Sequence, residues 1–148
     1  MRKILVYTFR TFPYQEELKR EVGDVFVLGR LKEDLERFFR LILKEKPKII
    51  VGVALADSDY SSFEPITINK FNKNTKIIKE RKEEFSLFVP KVKKTKFRIS
   101  LRPTTSFCNY STYKIKSFLE KEKLKIALTF THIREEDIKV LKKILIAQ

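Results

Sequence analysis

The chain has 148 residues, 43% of them apolar, with only three glycines and five prolines, which suits one domain over residues 1–148 and excludes long disordered tracts. A single cysteine excludes an intramolecular disulfide, and with a single histidine it excludes a Cys/His zinc cluster, so neither a metal nor a cofactor is implied. The net charge of +14 attracts polyanions, yet it is equally the charge of many proteins that never touch nucleic acid, and it settles no function.

The chain opens with "MRKILVYTFRTF", whose apolar run is too short for a secretory leader or a membrane span. A cytoplasmic protein with a free thiol and no membrane attachment is expected. "KILVY" (3–7), "DVFVL" (24–28) and "KIIVGV" (48–53) read as buried strands. Between the last two, Leu31, Leu35, Phe38, Phe39 and Ile42 recur at helical spacing until Pro47 stops the helix.

"ITI" (66–68), "FSLFV" (85–89) and "FRISL" (97–101) follow as strands, with a lysine-rich connection at 90–96. A helix runs from about Cys108 to Lys123, where Cys108, Thr112, Ile115 and Leu119 form one apolar stripe. "LKIALTFT" (124–131) is the last strand. The final helix begins at Glu135, Glu136 and Asp137 and carries Lys139, Lys142 and Lys143, charges that suit its dipole. Alternating strands and helices predict a layered α/β fold with a mostly parallel sheet.

In such sheets ligands bind beyond the carboxyl ends of the strands. The uncommon residues fall there: Phe9 and Phe12 after the first strand, Glu64 in the loop after Val53, Cys108 at a loop-to-helix junction and His132 directly after Thr131. A cysteine nucleophile needs a base for its proton and a third group to orient that base. Cys108, His132 and Glu64 supply those residue types, and a helix N-terminus would stabilise the thiolate. By residue type alone, each has a plainer reading as a small core residue, a structural histidine and a solvated acid.

"FCNYSTY", "FTHIREE" and "SSFEPITIN" carry something more specific. Phe107, Cys108, Asn109, Tyr110 and Tyr113 match an apolar-Cys-Asn-Tyr segment with a following aromatic. Ser62, Glu64, Ile66 and Asn69 match Ser-x-Glu-x-hydrophobic-x-x-Asn, and the 24-residue step from Cys108 to His132 has a matching length. In these features, in order along most of the chain, the sequence resembles the pyroglutamyl peptidase type I family, or pyrrolidone-carboxylate peptidases. "YTFRTF" keeps the two phenylalanines of that family's Gly-Phe-x-Pro-Phe turn, and "KPKIIVGVALAD" resembles its Lys-Pro-Asp strand and Gly-Leu-Ala loop.

The resemblance implies a three-layer α/β/α sandwich and removal of an N-terminal pyroglutamate from a blocked peptide, without metal or cofactor. Cys108 would be the nucleophile, with its backbone N–H at the oxyanion. His132 would be general base and then acid, Glu64 would orient the imidazole, and Phe9 and Phe12 would stack on the lactam ring.

The sequence also departs from the family. Thr8 and Thr11 replace a glycine and a proline, with Arg10 between them, and Thr104 replaces a glycine before the cysteine. Arg134 replaces a proline, Pro65 an arginine, and the position of a further arginine of the family falls near Asn74, with Lys73 and Lys76 beside it. The chain is shorter than family members between Glu64 and Cys108, where a helix is reduced to the connection at 90–96. A sheet edge left open there predicts a homo-oligomer.

The alternative to an enzyme is an inactive relative that binds nucleic acid or an acidic partner through Lys91, Lys93, Lys94, Lys96 and Arg98. Without a recognised motif around it, that run reads better as a solvated connection and an edge strand blunted by lysines. Tyr110 and Tyr113, three apart on a helix, are expected to pack against neighbours.

Overall fold

A computed structural model of the protein describes residues 4–72, 75–79, 81–92, 95–101, 103 and 106–148. Lys73, Asn74, Lys93, Lys94 and Thr104, named above, lie outside these residues. A six-stranded sheet forms from Ile4–Phe9 (β1), Val25–Leu28 (β2), Ile49–Leu55 (β3), Ser62–Phe63 (β4), Arg98–Ile99 (β7) and Ala127–Ile133 (β8). Ile66–Ile68 (β5) and Glu84–Ser86 (β6) make a separate antiparallel pair. The main sheet has the order β2-β1-β3-β8-β4-β7, with β2, β1, β3 and β8 mutually parallel and β4 and β7 reversed.

Helices Gln15–Val22 (α1) and Ile138–Ile146 (α4) cover one face, burying Leu18, Ile138, Leu141 and Leu145 with Val6, Val51 and Val53. Helices Leu31–Glu45 (α2) and Phe107–Lys121 (α3) cover the other, burying Leu35, Phe38, Ile42, Ile115 and Leu119 with Leu5, Tyr7 and Ile50. The expected three-layer α/β/α sandwich with a mixed, mostly parallel sheet is therefore the observed architecture. With both faces covered, strand interiors are apolar without alternation, which is why β1 and β3 read as continuous runs.

Several elements differ from the sequence expectation. Helix α1 has no forecast because Leu18 is its only buried residue, too little to mark a periodic stripe. The run at 85–89 contributes only Phe85 and Ser86, to the strand Glu84–Ser86, and the run at 97–101 only Arg98–Ile99. The last strand begins later and runs further than expected, so His132 lies within β8, opposite Ala54 of β3 and Ser62 of β4. Phe9 likewise is the last residue of β1 rather than a loop residue. Glu135–Asp137 form a 3-10 turn ahead of α4, in which Asp137 is buried and accepts a hydrogen bond from Ser61 Oγ at 2.7 Å.

One glycine is required by packing. Tyr7, Gly52 and Phe130 stand in one row across β1, β3 and β8. A Cβ on Gly52 would sit 2.4 Å from the Tyr7 ring and hydroxyl and 2.5 Å from Phe130, so only glycine lets the two aromatics close over β3. Tyr7 also packs on Phe38 with ring centroids 5.2 Å apart, at the centre of the α2/α3 core.

The described part of the basic run is a connection and a sheet edge. Phe97 is buried and stacks on Phe63, Val92 packs against the α1/α4 core, and Arg98 lies over the Tyr60 ring. Lys91 and Lys96 are exposed.

Candidate active site

Helix α3 begins at Phe107, which places Cys108 in its first turn, half-buried, where backbone N–H groups have no intrahelical acceptor and the dipole favours negative charge. His132 comes from the carboxyl end of β8, and Glu64 follows the short strand β4 that pairs with it. The Glu64 backbone N–H donates to Phe130 O at 2.9 Å, so its side chain lies along β8 beside the imidazole. His132 Nδ1 stands 3.0 Å from Glu64 Oε1, and Cys108 lines the same small void as the imidazole. The structure thus brings Cys108, His132 and Glu64 together.

The electrostatics favour a protonated imidazole. Burial opposes the charge on His132, but the interactions with Cys108 and Glu64 outweigh it and raise its pKa to about 9. A void of about 10 Å³ lies among Glu64, Cys108, Asn109 and His132, room for about one water.

On its other side Cys108 borders a cleft of about 620 Å³, lined also by Phe9, Arg10, Phe12, Leu28, Leu55 and Phe107. Phe9 reaches it from the end of β1 and Phe12 from the turn that follows, which is closed by a hydrogen bond from Phe12 N–H to Phe9 O at 2.9 Å. Their rings are rooted in opposite cores, Phe9 beside Phe130 and Phe12 beside Tyr14.

The neighbouring motif residues hold this arrangement in place, a role that residue type alone did not reveal. Asn109 is buried, and its amide donates to Ile68 O at 2.8 Å and Lys70 O at 3.0 Å while accepting from Ile68 N–H at 3.0 Å and Thr67 Oγ1 at 2.8 Å. It fastens the segment after Glu64 to the turn carrying Cys108. Asn69 does the same one loop further on, accepting from Ile77 and Ile78 N–H and donating to Ile78 O. Tyr113 is fully buried and donates to Lys82 O, whereas Tyr110 packs edge-on against Phe71. Both tyrosines pack against neighbours, as their spacing predicts.

Beneath the cysteine, Thr112 Oγ1 donates to Cys108 O at 2.7 Å and stands 3.1 Å from the Tyr7 hydroxyl. The buried Tyr7 therefore supports the first turn of α3 through Thr112. Ser61, just before β4, ties that strand to the end of β8, accepting from Arg134 N–H at 2.8 Å and donating to Asp137. At the departures from the family pattern, Thr8 Oγ1 donates to Val53 O, Pro65 O accepts from Leu87 N–H, and Arg134 pairs with Glu136 at 2.6 Å.

This fold recurs among solved structures. The pyrrolidone carboxyl peptidase of Thermococcus litoralis superposes with a TM-score of 0.74 at 20% identity, covering 90% of this chain and 77% of that one. Pyroglutamyl peptidase I of Bacillus amyloliquefaciens gives 0.75 at 18% identity over 98% and 92% of the two chains. A mutant pyrrolidone carboxyl peptidase from Pyrococcus furiosus gives 0.73 at 19%, covering 100% and 88%. The fold is that of the pyrrolidone carboxyl peptidases. Neither a protein-family model nor a curated protein sequence matches the chain. Among the described residues no helix is long and apolar enough to cross a membrane, and no group of acidic, histidine or cysteine side chains could hold a metal ion.

Proposed function

We propose that the protein is a cysteine peptidase or amidase that hydrolyses the amide after an N-terminal pyroglutamyl or related group. The observation that carries this reading is the grouping of Cys108 with the His132–Glu64 pair at the edge of the cleft that Phe9 and Phe12 line, on a pyrrolidone carboxyl peptidase fold.

Glu64 on Nδ1 leaves Nε2 of His132 for the thiol, and the raised imidazole pKa keeps the transferred proton on the ring. The Cys108 sulfur attacks the scissile carbonyl carbon, and its own backbone N–H, in the first turn of α3, donates to the oxyanion. His132 gives its proton to the leaving amine as the C–N bond breaks, leaving a thioester. Water then attacks the thioester, His132 takes its proton, and the C–S bond breaks to release the acid and restore the thiolate. Phe9 and Phe12 hold the acyl group by apolar contact.

The test is release of a fluorophore from its pyroglutamyl amide. Cys108→Ala should abolish turnover, and His132→Ala should lower kcat by about 10²–10⁴-fold with the fold retained by circular dichroism. Turnover unchanged in Cys108→Ala would refute the reading.

A further inference from the structure

The cleft beside Cys108 has an uneven charge. Among the described residues its lining includes one side chain of fixed charge, Arg10, and no aspartate or glutamate. Arg10 is held at the tip of the turn after β1: its N–H donates to Leu28 O at 2.9 Å, and its carbonyl accepts from Gln15 Nε2 at 3.0 Å. Its side chain is exposed and lies along Gly29, with Cδ and Nη1 each 3.8 Å from where a Cβ on that glycine would be.

The nearby acid is already committed. Asp34 Oδ2 accepts from Gly29 N–H at 2.7 Å and Arg30 N–H at 2.8 Å, and Oδ1 lies 3.5 Å from Arg37. Among the described residues no carboxylate forms an ion pair with Arg10. The cleft is also lined by Ser106, Phe107 and Cys108 at the start of the 15-residue helix α3, whose N-terminus is a second source of positive potential. A neutral apolar ring needs neither. A guanidinium fork beside an apolar cleft, with no carboxylate at ion-pair distance among the described residues, matches a carboxylate.

We propose that this cleft selects substrates carrying a carboxylate in the part that it holds, with Arg10 as the specificity-determining residue. The inference rests on Cys108 as the nucleophile of the proposed reaction. The carboxylate belongs either to the acyl group or to the residue after the scissile bond, and matched substrates separate the two.

The first experiment needs no turnover. Iodoacetate and iodoacetamide are near-isosteres of different charge that both alkylate Cys108. The rate ratio of iodoacetate to iodoacetamide should be about fivefold higher in the parent than in Arg10→Gln, the size expected of one partly exposed ion pair, and should converge at high salt. Arg10→Lys should keep part of the preference. Equal ratios in parent and Arg10→Gln overturn the proposal. Because Arg10 is exposed and joins no described ion pair, Arg10→Gln should fold as the parent does, which circular dichroism checks.

The second experiment compares kcat/KM within isosteric pairs. A glutaryl anilide preferred over its carboxamide assigns the carboxylate to the acyl side, and pyroglutamyl-glutamyl amide preferred over pyroglutamyl-glutaminyl amide assigns it to the leaving side. Either preference must fall in Arg10→Gln, and absence of both overturns the inference. Failure of all hydrolysis would instead sink the proposed reaction and leave the alkylation ratio standing.

Discussion

The four parallel strands and the segment from Ser58 to Ser106 are held by different physics. In β2, β1, β3 and β8 the contacts are apolar side chains closing over a continuous backbone ladder, as where Tyr7 and Phe130 meet over Gly52. In the other segment the strands are two or three residues long, and Asn69, Asn109, Tyr113 and Ser61 bond the main chain directly. His132 belongs to the first region and Glu64 to the second, so their 3.0 Å contact spans the junction. Helix α3 touches both, through Ile115 and Leu119 on one side and Asn109 on the other. A rigid sheet thus fixes the base, while a polar framework fixes the group that orients it.

The largest effect should come from the apolar region. Phe38 is fully buried between Tyr7 and Phe26, and Phe38→Ala should lower the unfolding free energy by about 3–5 kcal/mol in urea titrations. A loss under about 1 kcal/mol would show that this core is not the one that carries stability.

At the junction the effect is a pH dependence. The pKa of His132 is raised to about 9 from an ordinary 6.5, so its stabilisation is complete below about pH 6.5 and is lost as pH rises through about 9. Urea midpoints should fall across that window by an amount of order 2–3 kcal/mol in free energy, and His132→Asn should remove the slope. An equal slope in the variant would assign the loss to other groups.

The polar framework should give the smallest loss of stability and a disproportionate loss of activity. Asn109→Ala strips the partners from Ile68 and Lys70 and should cost about 1–2 kcal/mol, since water reaches part of this segment. If the framework positions Glu64, turnover of the pyroglutamyl amide should fall about tenfold or more with the variant still folded, the rate loss expected when orientation at a site is relaxed. Activity that merely tracked stability would make Asn109 a packing residue and nothing else.

The same division governed what could be read in advance. Runs such as "KILVY" and "KIIVGV" announce strands because both sheet faces are covered, and the stripe Leu35, Phe38, Ile42 announces α2 because one helical face is buried. Helix α1, with Leu18 as its sole buried residue, gives no such signal. The irregular segment was legible only as a family pattern. Asn69 and Asn109 stand out as letters, but their work is hydrogen bonding to backbone 8 to 41 residues away in sequence, which no local period encodes.

For the site, sequence alone determined the chemistry on offer: one thiol, one imidazole and an acid at spacings that resemble a peptidase. Tertiary structure decided the rest. Reversed strand β4 brings Glu64 back along β8, and the parallel sheet carries His132 to the rim where α3 presents Cys108. The same rim sets Arg10 beside the cleft, since the turn after β1 bonds to Leu28 and Gln15. Distances between residues 44 and 68 positions apart follow from strand order and register, and those are properties of the whole packed sheet.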